Sequence, residues 1–154
     1  MTVPSDHSVC SVTVDIAVPA AFAWEVLLDY PRYPEWNPFT VRVESTCAVG
    51  DPVDLYLPDP RRPGELLHQR EWVVVCDPPR HFAYEMRPTD ELPVGGRRDQ
   101  YLEPVGASAC RYWTTDAFLG PHADAVMRHS GAWVKDGLDA MAVAFQARAE
   151  LLRS

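Results

Sequence analysis

The sequence predicts an α+β fold in which a curved antiparallel sheet of about seven strands wraps around one long C-terminal helix. Three observations carry this expectation. Seven runs alternate apolar and polar residues with the period of two that marks a half-buried strand. Six of these runs follow one another with only turn-forming segments between them, so neighbours pair antiparallel. One apolar stripe then recurs at three-, four- and seven-residue steps through residues 121–154: Met127, Val134, Leu138, Met141, Phe145, Ala149 and Leu152. A sheet of that size must cover its apolar face, and only this helix is long enough to do so.

The elements follow in order. Val12, Val14, Ile16 and Val18 alternate with Ser11, Thr13, Asp15 and Ala17, giving strand one over residues 9–18. Pro19 suits the first turn of a helix, whose apolar stripe is Phe22, Val26 and Leu27. Next comes Asp29-Tyr30-Pro31-Arg32-Tyr33-Pro34-Glu35-Trp36-Asn37-Pro38-Phe39. Its three prolines break regular structure, yet its four aromatic residues are bulk that a solvated loop does not need. The segment reads as a plug over the core or the rim of a pocket, in a cap of two short helices between strands one and two. Strands follow over 41–46, 53–57, 66–76, 81–86, 98–102 and 112–118, then the helix over 121–154. Gly131 and Gly137 are anomalous within that helix, since each costs about 1 kcal/mol relative to Ala. Either the helix starts near Gly131 or the glycines permit close backbone approach.

The chain of 154 residues reads as one domain, with residues 1–7 as a flexible tail. Its net charge of −8 argues against nucleic acid or an anionic membrane as partner, because both require clustered cations. Arg61-Arg62 and Arg97-Arg98 are too few and too diluted by acid to change this. No secretory or membrane-spanning pattern appears, which points to the cytoplasm. Thirteen Arg against one Lys suggest a GC-rich bacterial genome. Cys10, Cys47, Cys76 and Cys110 fall in strand-like runs without C-x-x-C spacing and read as structural thiols. No metal or organic cofactor is implied: His122 and His129 lie two turns apart, too far to share an ion, and no phosphate-binding or nucleophile motif occurs.

Three segments resemble the helix-grip superfamily, which includes START lipid-transfer domains, plant pathogenesis-related and pollen-allergen proteins, and bacterial polyketide cyclases. The first runs from Val18-Pro19-Ala20 through Trp24-Glu25-Val26-Leu27 to Trp36-Asn37-Pro38-Phe39. The second is Val73-Val74-Val75-Cys76-Asp77-Pro78-Pro79-Arg80, and the third is Gly137-Leu138-Asp139-Ala140-Met141 through Ala147-Arg148-Ala149-Glu150. The likeness is to the bacterial polyketide cyclase/dehydrase branch. It implies a cavity for a hydrophobic or polycyclic small molecule and does not fix an activity.

Period-two reading then selects the residues that face such a cavity. It places Tyr84 and Met86 inward on the fifth strand, and Trp72 and Val74 on the fourth, with Arg70 and His68 farther out. It adds Arg98 and Gln100, then Tyr112, Thr114 and Asp116, and from the helix His129, Ser130 and Trp133. Trp113 falls on the outer face. Asp116 among aromatic residues would be desolvated, which raises its pKa and suits a general acid or base. Asp116 or His129 would remove an α-proton, while Tyr84, Tyr112 or Arg98 would hold the resulting enolate oxygen. The competing reading is a buried Arg98–Asp116 pair with core tyrosines.

Two functions stay open. One is a cofactor-free cyclase, dehydratase or aromatase of secondary-metabolite biosynthesis. The other is a non-catalytic carrier for a lipid, isoprenoid or quinone. Either would act as a monomer or homodimer. The polar character of Asp116, Arg98, Gln100 and His129 favours the enzyme.

Overall fold

The computed structural model describes residues 7–154. Most of the tail expected over 1–7 lies outside the described residues. His7 already joins the sheet, its carbonyl accepting a hydrogen bond from the Phe118 amide.

The elements run β1 (Ser8–Cys10), β2 (Val14–Ile16), α1 (Ala20–Leu28), a 3-10 helix (Tyr30–Glu35), β3 (Arg42–Ser45), β4 (Pro52–Pro58), β5 (Leu66–Asp77), β6 (His81–Met86), β7 (Gly95–Pro104), β8 (Cys110–Leu119) and α2 (Ala123–Arg153). The sheet is antiparallel throughout and open, in the order β1-β8-β7-β6-β5-β4-β3, with β2 also paired to β8. It has eight strands because the expected first strand is two pieces. Ser11 interrupts it, and the Ser11 hydroxyl accepts a hydrogen bond from the Thr114 amide at 3.0 Å, so the ladder stays satisfied across the break. Helix α2 fastens the broken edge: Asp139 accepts from the Val12 amide at 2.7 Å and Glu150 from the Ala17 amide at 2.9 Å.

The apolar stripe of α2 fills the concave face of the sheet. Leu138, Met141, Ala142, Phe145 and Ala149 are fully buried there. The Pro- and aromatic-rich segment closes one end. Tyr33 donates to the Leu27 carbonyl at 2.5 Å, and its ring meets Tyr30 and Trp36 edge-on. Asn37 then shapes the exit turn, its side-chain oxygen accepting from the amides of Phe39 and Thr40. Trp36 lies 5.8 Å from the Phe145 ring, and Phe39 lies edge-on to Trp133 at 5.3 Å. The segment is therefore an anchor between the 3-10 helix and α2.

All four cysteines are free. Cys47 is not in a strand; it turns the chain after β3 with φ of 65°. Burial pushes the Cys47 and Cys110 thiols up to about 11, which leaves them unreactive near neutral pH.

Gly137 has a packing reason. A Cβ there would collide with the Phe39 ring, which is buried and pinned by Trp133. A Cβ at Gly131 would meet only the flexible end of Met127. Close approach thus explains Gly137, and α2 begins well before Gly131. Gly137→Ala should therefore lower stability by about 1–3 kcal/mol through overpacking, against the helix propensity gain. Gly131→Ala should be neutral or stabilising. Urea midpoints of the two variants test this, and a stabilised Gly137→Ala protein would refute it.

Candidate active site

Near the N-terminal half of α2 the sheet and helix separate and enclose a cavity of about 260 Å³. Its apolar walls are Leu55, Leu57 and Leu67 from β4 and β5, Met86 from β6, Phe118 from β8, and Val126, Trp133 and Val134 from α2. Phe39 and Thr40 line it from the anchor segment. Four ionisable side chains face it: Glu71 on β5, Tyr84 on β6, Arg98 on β7 and Asp116 on β8. Tyr84, Arg98 and Asp116 occupy one cross-strand row, because Tyr84 pairs with Arg98 and Arg98 with Asp116.

Arg98 is 4% exposed and makes no ion pair with Asp116 or any other described carboxylate. Neutral groups hold its guanidinium instead. Nε donates to the Thr114 hydroxyl at 3.1 Å, Nη1 to the Tyr84 hydroxyl at 3.3 Å, and Nη2 to the Met141 sulfur at 2.9 Å. Thr114 is itself fixed by donating to the Asp99 carbonyl at 2.7 Å. Burial works against the Arg98 charge, but the surrounding tyrosine oxygens and Asp116 outweigh it and hold the group cationic. A fixed guanidinium has five N–H groups, and these contacts occupy three, so its positive face stays available to a ligand oxygen.

Asp116 accepts no hydrogen bond from the described residues. Burial pushes its carboxyl up to about 7; Arg98 pulls it down and Asp99 adds to the rise. Protein surrounds the side chain, yet it opens onto the cavity, so a bound molecule could reach it. Glu71 lies on the next strand of the same sheet, beside β6. Its Oε1 is buried without a partner. Burial raises its carboxyl well above the usual range, and Asp116 adds to this. The Tyr84 phenol is likewise held protonated, chiefly by burial.

The residues expected from sequence divide into three groups. Arg98, Asp116, Tyr84, Met86, Ser130 and Trp133 do line the cavity. Thr114, Gln100 and Tyr112 lie on the inner face of the sheet but form the layer beneath or beside it. Tyr112 is fully buried, donates to Gln100 Oε1 at 2.7 Å and packs edge-on against Phe145. Trp72 and His129 lie elsewhere. Trp72 is 45% exposed on the outer face, and His129 is exposed beyond the cavity, 2.6 Å from Arg61 of the β4–β5 loop.

A bulge between Val73 and Val75 accounts for Trp72. Cys76 pairs with buried Phe82, and counting back by two from it gives Val74, Trp72, Arg70 and His68. The bulge shifts the frame by one, so Val73, Glu71, Gln69 and Leu67 face inward instead. Sequence reasoning missed Glu71 for this reason. The signal was in the neighbouring strand: Val53, Leu55 and Leu57 share an apolar face, and their partners are Glu71, Gln69 and Leu67. His68 and Arg70 instead share Asp54 on the outside.

An antiparallel sheet gripping a C-terminal helix around an internal cavity defines a helix-grip protein. The chain belongs to the family described as polyketide cyclase / dehydrase and lipid transport, whose model matches residues 8–150. No curated protein matches it in sequence. Among solved structures it is similar to an aromatase/cyclase from Streptomyces, with 24% identity, 96% and 95% of the two chains covered, and a TM-score of 0.75. A START superfamily protein from Mycobacterium smegmatis shares 16% identity over 94% and 98% of the chains, with a TM-score of 0.67. Norcoclaurine synthase from Thalictrum flavum shares 17% over 96% of each, with a TM-score of 0.64. These likenesses establish the fold.

The elevated Asp116 carboxyl carries a consequence for stability. It binds a proton in the folded protein up to about pH 7, but in the unfolded chain only to the ordinary value of 3.8. The folded state therefore holds more protons between these limits. The contribution is complete below the lower value and is lost as pH rises toward the upper one. Asp116→Asn should flatten this decline in denaturant midpoint between the two pH values. Equal slopes in both proteins would contradict the assignment.

Proposed function

We propose that the protein is a cofactor-free tailoring enzyme, folded as one domain, that binds a hydrophobic carbonyl compound in this cavity and promotes cyclisation or dehydration by acid–base chemistry. The family supports a hydrophobic small-molecule ligand. The observation that carries the enzymatic reading is the cross-strand row of Tyr84, Arg98 and Asp116 on one wall of an apolar cavity. A carrier needs only the apolar walls. It does not need a buried cation whose hydrogen bonds aim it at a ligand oxygen, next to a carboxylate that gains and loses its proton near neutral pH.

In this reading Asp116 removes a proton alpha to the ligand carbonyl. Negative charge develops on the carbonyl oxygen, where Arg98 and the Tyr84 O–H stabilise it as an enolate. The enolate carbon then attacks a second carbonyl or expels a β-substituent. Tyr112 and Gln100 support the wall without touching the ligand, and His129 takes no part. The chain has no helix among the described residues long and apolar enough to cross a membrane, in keeping with action on a free metabolite in the cytoplasm.

Exchange of the methyl protons of acetophenone into deuterated water, followed by NMR, isolates the first step. The protein should accelerate it. Asp116→Asn should reduce that acceleration about 10²–10⁴-fold, the usual worth of a general base. Tyr112→Phe should leave the rate nearly unchanged while costing about 1–3 kcal/mol of stability, because Gln100 loses its partner. Exchange no faster than in buffer would sink the acid–base reading. A hydrophobic ligand retained in native mass spectrometry would then establish the carrier alternative.

A further inference from the structure

We propose that Glu71 is a second proton-carrying group of this cavity, a neutral acid that donates to a leaving hydroxyl. In the dehydration that the reading above already includes, it protonates the hydroxyl that leaves as water. The proposal rests on the acid–base reading above and extends it to a further residue.

Glu71 has no partner that explains it. It lines the cavity from β5, whose neighbour β6 carries Tyr84, the first member of the row with Arg98 and Asp116. Its Oε1 is buried without a hydrogen bond, and the carboxyl makes no ion pair. Its neighbours across the β4 ladder are apolar: Val53 pairs with it, and Leu55 and Leu57 continue the same face. A charged carboxylate is costly there, so the group keeps its proton. Burial raises the carboxyl most, Asp116 and Glu85 add to it, and the Arg98 cation opposes them. Two carboxyls thus line one ligand space in different surroundings, Asp116 beside the Arg98 cation and Glu71 among the apolar side chains of β4. Paired groups whose environments separate their proton affinities are the pattern of an acid and a base assigned to one reaction.

The chemistry balances with these groups alone. The Asp116 carboxylate takes the proton from the carbon alpha to the carbonyl, and the electron pair moves onto the carbonyl oxygen, held by Arg98 and Tyr84. The enolate then restores the carbonyl and forms a carbon–carbon double bond as the β-carbon–oxygen bond breaks. Glu71 gives its proton to the departing hydroxyl, which leaves as water. Asp116 is left protonated and Glu71 ionised, and proton transfer from the first to the second resets the site. Nothing is oxidised or reduced. The cavity of about 260 Å³ exceeds the roughly 150 Å³ of an apolar void that holds benzene, so it admits an aromatic ketone.

The test uses the β-hydroxy ketone formed from benzaldehyde and acetone, whose loss of water gives a conjugated enone seen by absorbance. Acetophenone proton exchange is measured alongside. Glu71→Gln should slow water loss about 100-fold, a far larger factor than its effect on exchange, and Glu71→Asp should recover part of the loss. Asp116→Asn should lower both rates. The proposal is overturned if Glu71→Gln leaves water loss unchanged, or lowers both rates together. It is also overturned, with the acid–base reading intact, if the unmodified protein exchanges acetophenone but leaves the hydroxy ketone whole. Failure of both reactions in the unmodified protein removes the acid–base reading itself. Should Glu71→Gln not fold, infrared spectra of the unmodified protein and of Glu71→Asp still decide. A protonated-carboxyl band must persist above the pH at which Asp116 ionises and shift in the variant; its absence rejects the proposal.

Discussion

A thirty-one-residue helix cannot stay in contact with a curved sheet along its whole length, and the architecture follows from where contact is kept. In its C-terminal half α2 presses Leu138, Met141, Phe145 and Ala149 into the concave face. The anchor segment seals that end, with Trp36 on Phe145 and Phe39 wedged against Gly137. In the N-terminal half Val126, Ser130 and Trp133 lie away from the sheet, and the intervening space is the cavity. The tight end holds the loose end open. Packing in one half supplies the rigidity that polar groups in the other half require.

The polar groups are expensive to bury, and their arrangement shows how that cost is met. Arg98 is satisfied by a hydroxyl, a phenol and a thioether, so its charge is positioned but not neutralised. Asp116 shares its register position without forming an ion pair. A tight salt bridge would have satisfied both groups and consumed the field that each now directs into the cavity. The outer face shows the contrast. There Asp99 is closed off by bidentate Arg97 and by His81 at 2.7 Å, and its carboxyl is held low chiefly by those hydrogen bonds against the effect of burial. Two faces of one strand thus carry a paired carboxylate outside and an unpaired arginine inside.

The scaffold was largely legible because it depends on patterns that local sequence records. Period two marked the strands, the helical stripe marked α2, and Trp36-Asn37-Pro38-Phe39 identified the cap. The site was less legible because membership in it depends on which face a residue occupies. Alternation assigned Tyr84, Arg98 and Asp116 correctly, since β6, β7 and β8 pair without irregularity. On β5 one bulge reversed the assignment, exposing Trp72 and admitting Glu71. His129 failed for another reason. Helical spacing gives its direction on α2, but not how far the β4–β5 loop reaches, and Arg61 meets it outside the cavity.

The sequence by itself determined the element order, the gripping helix and three of the four ionisable groups that face the cavity, because hydrophobic periodicity is local and survives small irregularities. Only the tertiary structure decided which carboxyls share the cavity and which charges stay unpaired. Those depend on a one-residue shift in strand register and on separations between side chains far apart in the chain. The same spacing of residues can yield a salt bridge or an open pair of groups, and the distances that the fold imposes select between them.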